Sequence, residues 1–128
     1  MLLFIGHNKK GRAKMARFLY SAFSDEAADS IDGQIAACKA LKEKLDANGM
    51  KVSSIGSYYG KIEITDDFEP HFEGFKNTVE VAKILEAKYI RLFSFYFTKG
   101  ESYEEYRPEV MRRVRAMAEY SKERGVLC

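Results

Sequence analysis

A repeat restricts this chain more than any other feature. Short apolar, β-branched and aromatic runs begin near residues 17, 51, 89 and 126, and a helical stripe follows each of the first three. The spacing, in the thirties, is the length of one strand–helix unit. Such alternation predicts a parallel sheet covered by helices.

The elements read as follows. Phe18–Phe23 is a strand and Ser24-Asp25-Glu26 the polar loop behind it. Ser30 is a candidate N-cap. Ile31, Ile35, Cys38, Leu41 and Leu45 then recur at spacings of three and four, one face of a helix. Gly49 is the expected stop, because glycine tolerates the left-handed conformation that ends a helix. Lys51–Ser57 is the second strand, and Tyr58-Tyr59-Gly60-Lys61 leaves it. Asp66 and Asp67 suit the positive end of a helix dipole, and Pro70 suits a first turn. Phe68, Phe72, Phe75, Val79 and Ala82 form the next stripe, far better suited to a core than to a cofactor. Tyr89–Phe95 is the third strand. Ser102 with Glu105 makes a candidate capping box, but Pro108 moves the expected helix start to about its own position. Val110, Val114 and Met117 mark the buried face, Gly125 ends the helix, and Val126 opens a fourth strand.

Two architectures fit this α/β pattern. One is a small open doubly wound sheet. The other is a partial (β/α) barrel of about four parallel strands and three main helices; a full barrel takes about 250 residues. The 128 residues allow one core, and no glycine-serine or acidic linker divides them.

Charge divides the chain where the strands do not. Residues 1–16 carry Lys9, Lys10, Arg12 and Lys14 and no acid, which leaves 17 basic against 19 acidic residues in the rest. Residues 1–16 therefore read as a basic N-terminal extension and 17–128 as the domain. The domain's slight negative balance carries no nucleic-acid footprint. Cys38 and Cys128 have no metal-ligand spacing and read as reduced thiols, which points to the cytoplasm. No apolar run approaches the roughly 18 residues of a membrane span, and Leu2-Leu3-Phe4-Ile5 is too short for a signal-peptide core. His71 follows Pro70 near Asp66 and Asp67, but those acids serve as helix caps, so no metal site is read there. Gly56 and Gly60 fit no phosphate-loop or dinucleotide pattern.

Four stretches carry a family resemblance: FLYSAFSDEA, LDANGMKVSSIGS, GKIEITDDFEPHFEGFKNTVEVAKILEAKYIRLFSFY and YRPEVMRRVRAMAEYSKERGV. Together they resemble the sugar phosphate isomerase/epimerase family, the xylose isomerase-like TIM barrels that include the AP endonuclease family 2 enzymes. The resemblance implies a metal-assisted proton transfer next to a carbonyl, with a divalent ion (Mg, Mn or Zn) in the full-length family. Two departures stand out. The family has a second strand and a second helix after its first helix, whereas here Gln34–Cys38 runs straight into Lys39–Leu45, as if two helix halves were joined and the strand between them lost. The chain also stops at Cys128, about halfway around a barrel and just short of the strand whose glutamate binds the metal in the family. No cofactor is therefore expected in this chain, and isomerase activity is not expected from it alone. A non-enzymatic α/β fragment or oligomerising module is the alternative, through exposed sheet edges that favour a homo-oligomer. An abasic-site endonuclease ranks third, because that chemistry needs a cluster of histidines and acids and the chain has only His7 and His71.

Active sites of parallel α/β folds lie at the carboxyl ends of the strands. The candidate substrate-binding residues there are Asp25 and Glu26, then Ser57, Tyr59 and Lys61, then Tyr96 and Lys99, with Ser24, Tyr58 and Thr98 beside them. Lysines and hydroxyls suit a small sugar or sugar phosphate. The same residues also have structural uses: acids favour a helix start, and tyrosines cover apolar surface.

Overall fold

The computed structural model describes residues 2–6, 17–19, 31–97, 100 and 102–128. In chain order they form β1 (Leu2–Gly6), β2 (Arg17–Leu19), α1 (Ile31–Ala47), β3 (Lys51–Gly56), α2 (Phe68–Ile84), β4 (Tyr89–Arg91) and α3 (Tyr103–Glu123). The fold is α/β, and a partial barrel accounts for it. Helix α2 packs between α1 and α3 and against β4.

Among the described residues the sheet order is β2-β1-β3-β4. β3 and β4 are parallel, with Ile55 opposite Ile90. Leu127 adds a further, isolated parallel bridge to Tyr89, at the place where the sequence puts the next strand. β1 is antiparallel to both β2 and β3. Hence β2, β3, β4 and the Leu127 segment share one direction, as the repeat predicts, and β1 is wedged among them running the other way. Leu2–Gly6 falls within the stretch read as a basic extension. Its apolar run LLFIG is strand-forming, and the basic residues begin only at Lys9. β1 takes the place between β2 and β3 where the resemblance implies a lost strand.

A bulge adapts β3 to its neighbours. Ile5 pairs with Val52 and Phe4 with Ser54, so Ser53 is the extra residue. Val52 and Ile55, three apart instead of two, are thereby both buried. α2 supplies the centre of the core. Phe75, Val79 and Ala82 are fully buried, together with Ile55, Met117 and Cys38. Each such large apolar side chain contributes about 1.5–3 kcal/mol on burial.

The helix ends follow one design. After α1, the Met50 N–H donates to the Leu45 carbonyl (2.9 Å) and the Gly49 N–H to that of Asp46 (2.9 Å), with Gly49 at φ +63°. The same pair of bonds follows α3: Val126 N–H to Ser121 (3.0 Å) and Gly125 N–H to Lys122 (3.0 Å). Both are Schellman motifs at the glycines the sequence marks. α2 closes identically, Ala87 N–H to Ala82 (2.8 Å) and Glu86 N–H to Lys83 (3.1 Å), but the left-handed residue is Glu86, at φ +54°. At the other end of α2, Asp67 is the N-cap and accepts from the Glu69 N–H (3.1 Å). α3 starts at Tyr103, five residues before the expected start. Ser102 is its N-cap without a side-chain bond, and Pro108 lies inside the helix. Burial of Val110, Arg113, Met117 and Ser121 along one face fixes α3 as a single helix in spite of the proline.

Beyond their last sheet residues, β3 and β4 remain joined. The Phe93 N–H donates to the Tyr59 carbonyl (2.8 Å), Phe95 N–H to Gly60 (2.8 Å), Tyr96 N–H to Ile62 (2.9 Å), and Ile64 N–H to Tyr96 (2.8 Å). Gly60 makes this possible. It has φ +90°, and a Cβ there would lie 1.9 Å from the Phe93 carbonyl oxygen.

Two stability outcomes are expected from urea unfolding. Glu86→Gly relieves left-handed strain, which costs a non-glycine residue about 1–2 kcal/mol. At high salt, where the partly exposed Lys42–Glu86 pair (3.2 Å) is screened, the variant should gain about 0.5–1 kcal/mol. Gly60→Ala should lose about 3 kcal/mol or more, because its backbone conformation and the overlap with Phe93 both oppose a side chain.

Candidate functional site

The carboxyl ends of β3 and β4 meet in a small network. The Ser57 hydroxyl donates to the Arg91 carbonyl (2.6 Å) and accepts from the Tyr59 N–H (3.3 Å). Arg91 Nη2 donates back to the Ser57 carbonyl (3.4 Å). Within β4 only the central Ile90 is buried; Tyr89 and Arg91 are exposed. Alternation along a strand puts Arg91 on the opposite sheet face from Ile90.

Two cations converge there on one ring. Lys61 Nζ lies 4.4 Å from the centroid of Phe93, and Arg91 Cζ lies 4.7 Å from it. Both cations are exposed. Among the described residues neither forms an ion pair, although most other basic residues of the helices do. Cation–π contact anchors the two side chains without neutralising them. The result is a positively charged, partly apolar surface at the strand ends.

The loop bearing Lys61 is held from below by α2. The Gly60 N–H donates to His71 Nε2 (2.7 Å). A ring nitrogen that accepts carries no proton, so His71 is neutral and protonated on Nδ1. Burial is the larger cause and the Arg113 charge the smaller in lowering the pKa of His71 from its ordinary value. Tyr59 lies edge-on to both His71 (centroids 5.0 Å) and Phe75 (5.6 Å), and is only 6% exposed. Gly74 leaves room for it: a Cβ there would stand 2.7 Å from the Tyr59 hydroxyl.

Arg113 closes the network from α3. It is 6% exposed, with Cζ 5.2 Å from the Phe68 centroid and 5.5 Å from that of Phe95. Its Nε donates to Glu109 (2.7 Å) and its Nη2 to the Asp66 carbonyl at the start of α2 (3.0 Å). Glu109 is shared with Arg112, whose hydrogen bond, followed by that of Arg113, holds the carboxyl down at about 2. Nη1 of Arg113 is buried with no partner among the described residues. Phe95 sits at φ +69°, a strained conformation for an aromatic residue, against Phe68, His71 and Arg113.

Of the residues marked in the sequence, Ser57, Tyr59 and Lys61 come together on the loop after β3. Their roles in the structure differ. Ser57 is 4% exposed and binds backbone; Tyr59 lies in the core; Lys61 faces outward. Tyr96 is 49% exposed and borders the same loop through its bridge to Glu63. Asp25, Glu26 and Lys99 lie outside the described residues, as do Ser24, Thr98 and His7. Arg91, Phe93 and the acceptor role of His71 were not read from the sequence. A lone arginine at the end of the apolar run YIRLF was the available signal for the first. Among the described residues no group of three His, Cys, Asp or Glu side chains is arranged to hold a metal ion. No helix among the described residues is long and apolar enough to cross a membrane.

Comparison with curated proteins and with solved structures gives no match. Comparison with family models does: the xylose isomerase-like TIM barrel (AP endonuclease 2) model matches residues 15–128. That span takes in β2, all three helices, β3 and β4, and the loops on which Lys61, Arg91 and Phe93 converge. The chain belongs to the xylose isomerase-like TIM barrel family.

Proposed function

We propose that the carboxyl rim of β3 and β4 binds a sugar or sugar phosphate, in the service of isomerase or epimerase chemistry next to a carbonyl. One observation carries this reading: Lys61 and Arg91, without acidic partners among the described residues, share the Phe93 ring at the strand ends. That is where barrels of this architecture bind substrates. Arginine offers a planar fork and lysine a point charge, and together they suit a phosphate. The exposed part of Phe93 and the neighbouring Tyr96 offer apolar surface to a sugar's carbon face. The described residues thus account for binding and orientation. General acid, general base and any metal ligands would come from elsewhere.

A second reading, as a self-associating module, is favoured by the outer edge of β2, which has no strand partner among the described residues. An open edge is a template for a second copy of the same chain. The homo-oligomer is therefore part of the proposal. Light scattering over a dilution series is expected to give a dimer mass. A monomer at every concentration would rule the second reading out.

The binding reading is tested by calorimetric titration of a hexose phosphate against the unphosphorylated hexose. The phosphate ester is expected to bind more tightly. Lys61→Ala and Arg91→Ala should each weaken it about tenfold or more, the usual worth of a charge-assisted contact. Equal affinity for the two sugars, or unchanged affinity in both variants with the fold intact by circular dichroism, would overturn it.

A further inference from the structure

The bond between the Gly60 N–H and His71 Nε2 (2.7 Å) ties the cationic rim to an imidazole, a group that can gain a proton. Gly60 immediately precedes Lys61, and its carbonyl accepts from the Phe95 N–H. One residue thus sets the positions of the lysine and of the segment after β4. The bond exists only while Nε2 is unprotonated. A protonated imidazole has two donors and no acceptor, so it would face the Gly60 N–H donor to donor. Toward Phe93 the loop has no room to relieve this, because a Cβ at Gly60 would already lie 1.9 Å from the Phe93 carbonyl oxygen.

We infer that His71 is a positioning residue whose protonation releases the Gly60–Lys61 loop, so that anion binding at the rim weakens as the pH falls. The inference rests on the binding reading above for its ligand, but the latch itself does not. The groups that face His71 are few. From the loop after β3 come the rings of Tyr58 (centroids 6.4 Å) and Tyr59 (5.0 Å). From the segment after β4 comes Phe95 (6.3 Å), and from α3 the Arg113 charge. Burial pushes the Tyr59 phenol up, so it stays neutral throughout. No acid stands among these contacts to stabilise an imidazolium. Arg113 opposes one, in keeping with the lowered pKa of His71.

Simple electrostatics predicts the opposite behaviour. A protonated His71 would add positive charge behind the rim and tighten anion binding on acidification. The latch predicts weakening. The sign of the pH dependence therefore separates the two.

Sulfate is the probe, because it keeps its charge from pH 5 to 8. In the labelled full chain, NMR would follow the His71 ring and the Gly60 amide over that range. Sulfate titrations would be run one pH unit above and one below the His71 midpoint found in that way. The Gly60 amide is expected to shift with the His71 midpoint, below 6.5. Sulfate affinity should fall about fivefold or more from the upper to the lower pH, the lower range of ordinary coupling between sites. His71→Gln retains an acceptor that does not titrate and should bind sulfate equally at both. A Gly60 amide that ignores the His71 midpoint, or wild-type affinity that is unchanged or tighter below that midpoint, would overturn the inference. If amide and ring titrate together but no sulfate binds above the His71 midpoint, the latch stands and the anion-binding reading fails. Stability supplies an independent check. Folded His71 holds its proton less well than the unfolded chain does, so its contribution is complete above 6.5 and is lost as the pH falls through the lower folded value. Glu109, held at about 2, adds a separate loss only below its ordinary 4.5. His71→Gln should abolish the first decline and leave the second.

Discussion

The close backbone approach at Gly60 is the constraint on which the rest of the site depends. Two parallel strands ordinarily diverge once their ladder ends, and each enters its own loop. Here the chain after β3 and the chain after β4 stay bonded through Tyr59, Gly60 and Ile62 for several more residues. This is tolerable only because the residue at the point of contact has no side chain. From that contact follow the placement of Lys61 beside Phe93, the burial of Tyr59 under α2, and the reach of His71 to the Gly60 amide. A rim built in this way is an extension of the sheet. Residues set on rigid backbone hold their geometry better than residues on free loops.

The opposite edge of the sheet has its own order. Each helix closes on the same pair of backbone bonds and turns the chain directly into the next strand. A left-handed residue does this at all three places, twice as glycine and once as Glu86. The repeat visible in the sequence is thus a repeat of turn geometry as well as of hydrophobic runs. The uniform turn keeps the strand directions alike from β3 through β4 to Leu127.

What the sequence made legible was local. Gly49, Gly125 and Asp67 act where short-range rules place them, because caps and Schellman turns depend on residues within one turn of each other. The turn at Glu86 escaped the same rule, since its conformation is imposed by packing around Leu85 and Ala87, not by its own preference. The start of α3 was read late because Pro108 was weighed by its local cost alone; the buried face from Val110 to Ser121 overrides it. β1 was missed because the lysines after it gave the whole segment the look of a tail. Of the candidate site, Lys61 was legible as a cation at a strand end. Arg91, Phe93 and His71 were not, for apart from the local Arg91–Phe93 pair their roles arise from contacts across 11 to 34 residues of chain. No periodicity encodes such distances.

The wedged strand has a practical consequence. Leu2 pairs with Leu19 and with Gly56, the final residues of β2 and β3. The beginning of β1 therefore lies level with the end of β4 at Arg91 and with the start of the loop that carries Lys61. Leu127, by contrast, pairs with Tyr89 at the opposite edge of the sheet. The two ends of the chain are thus unequal places for an attachment. A purification tag or fusion partner joined ahead of Leu2 would emerge beside the strand ends that carry Lys61 and Arg91 and crowd whatever approaches them. An experimenter choosing where to immobilise this protein is also choosing whether to leave those strand ends open.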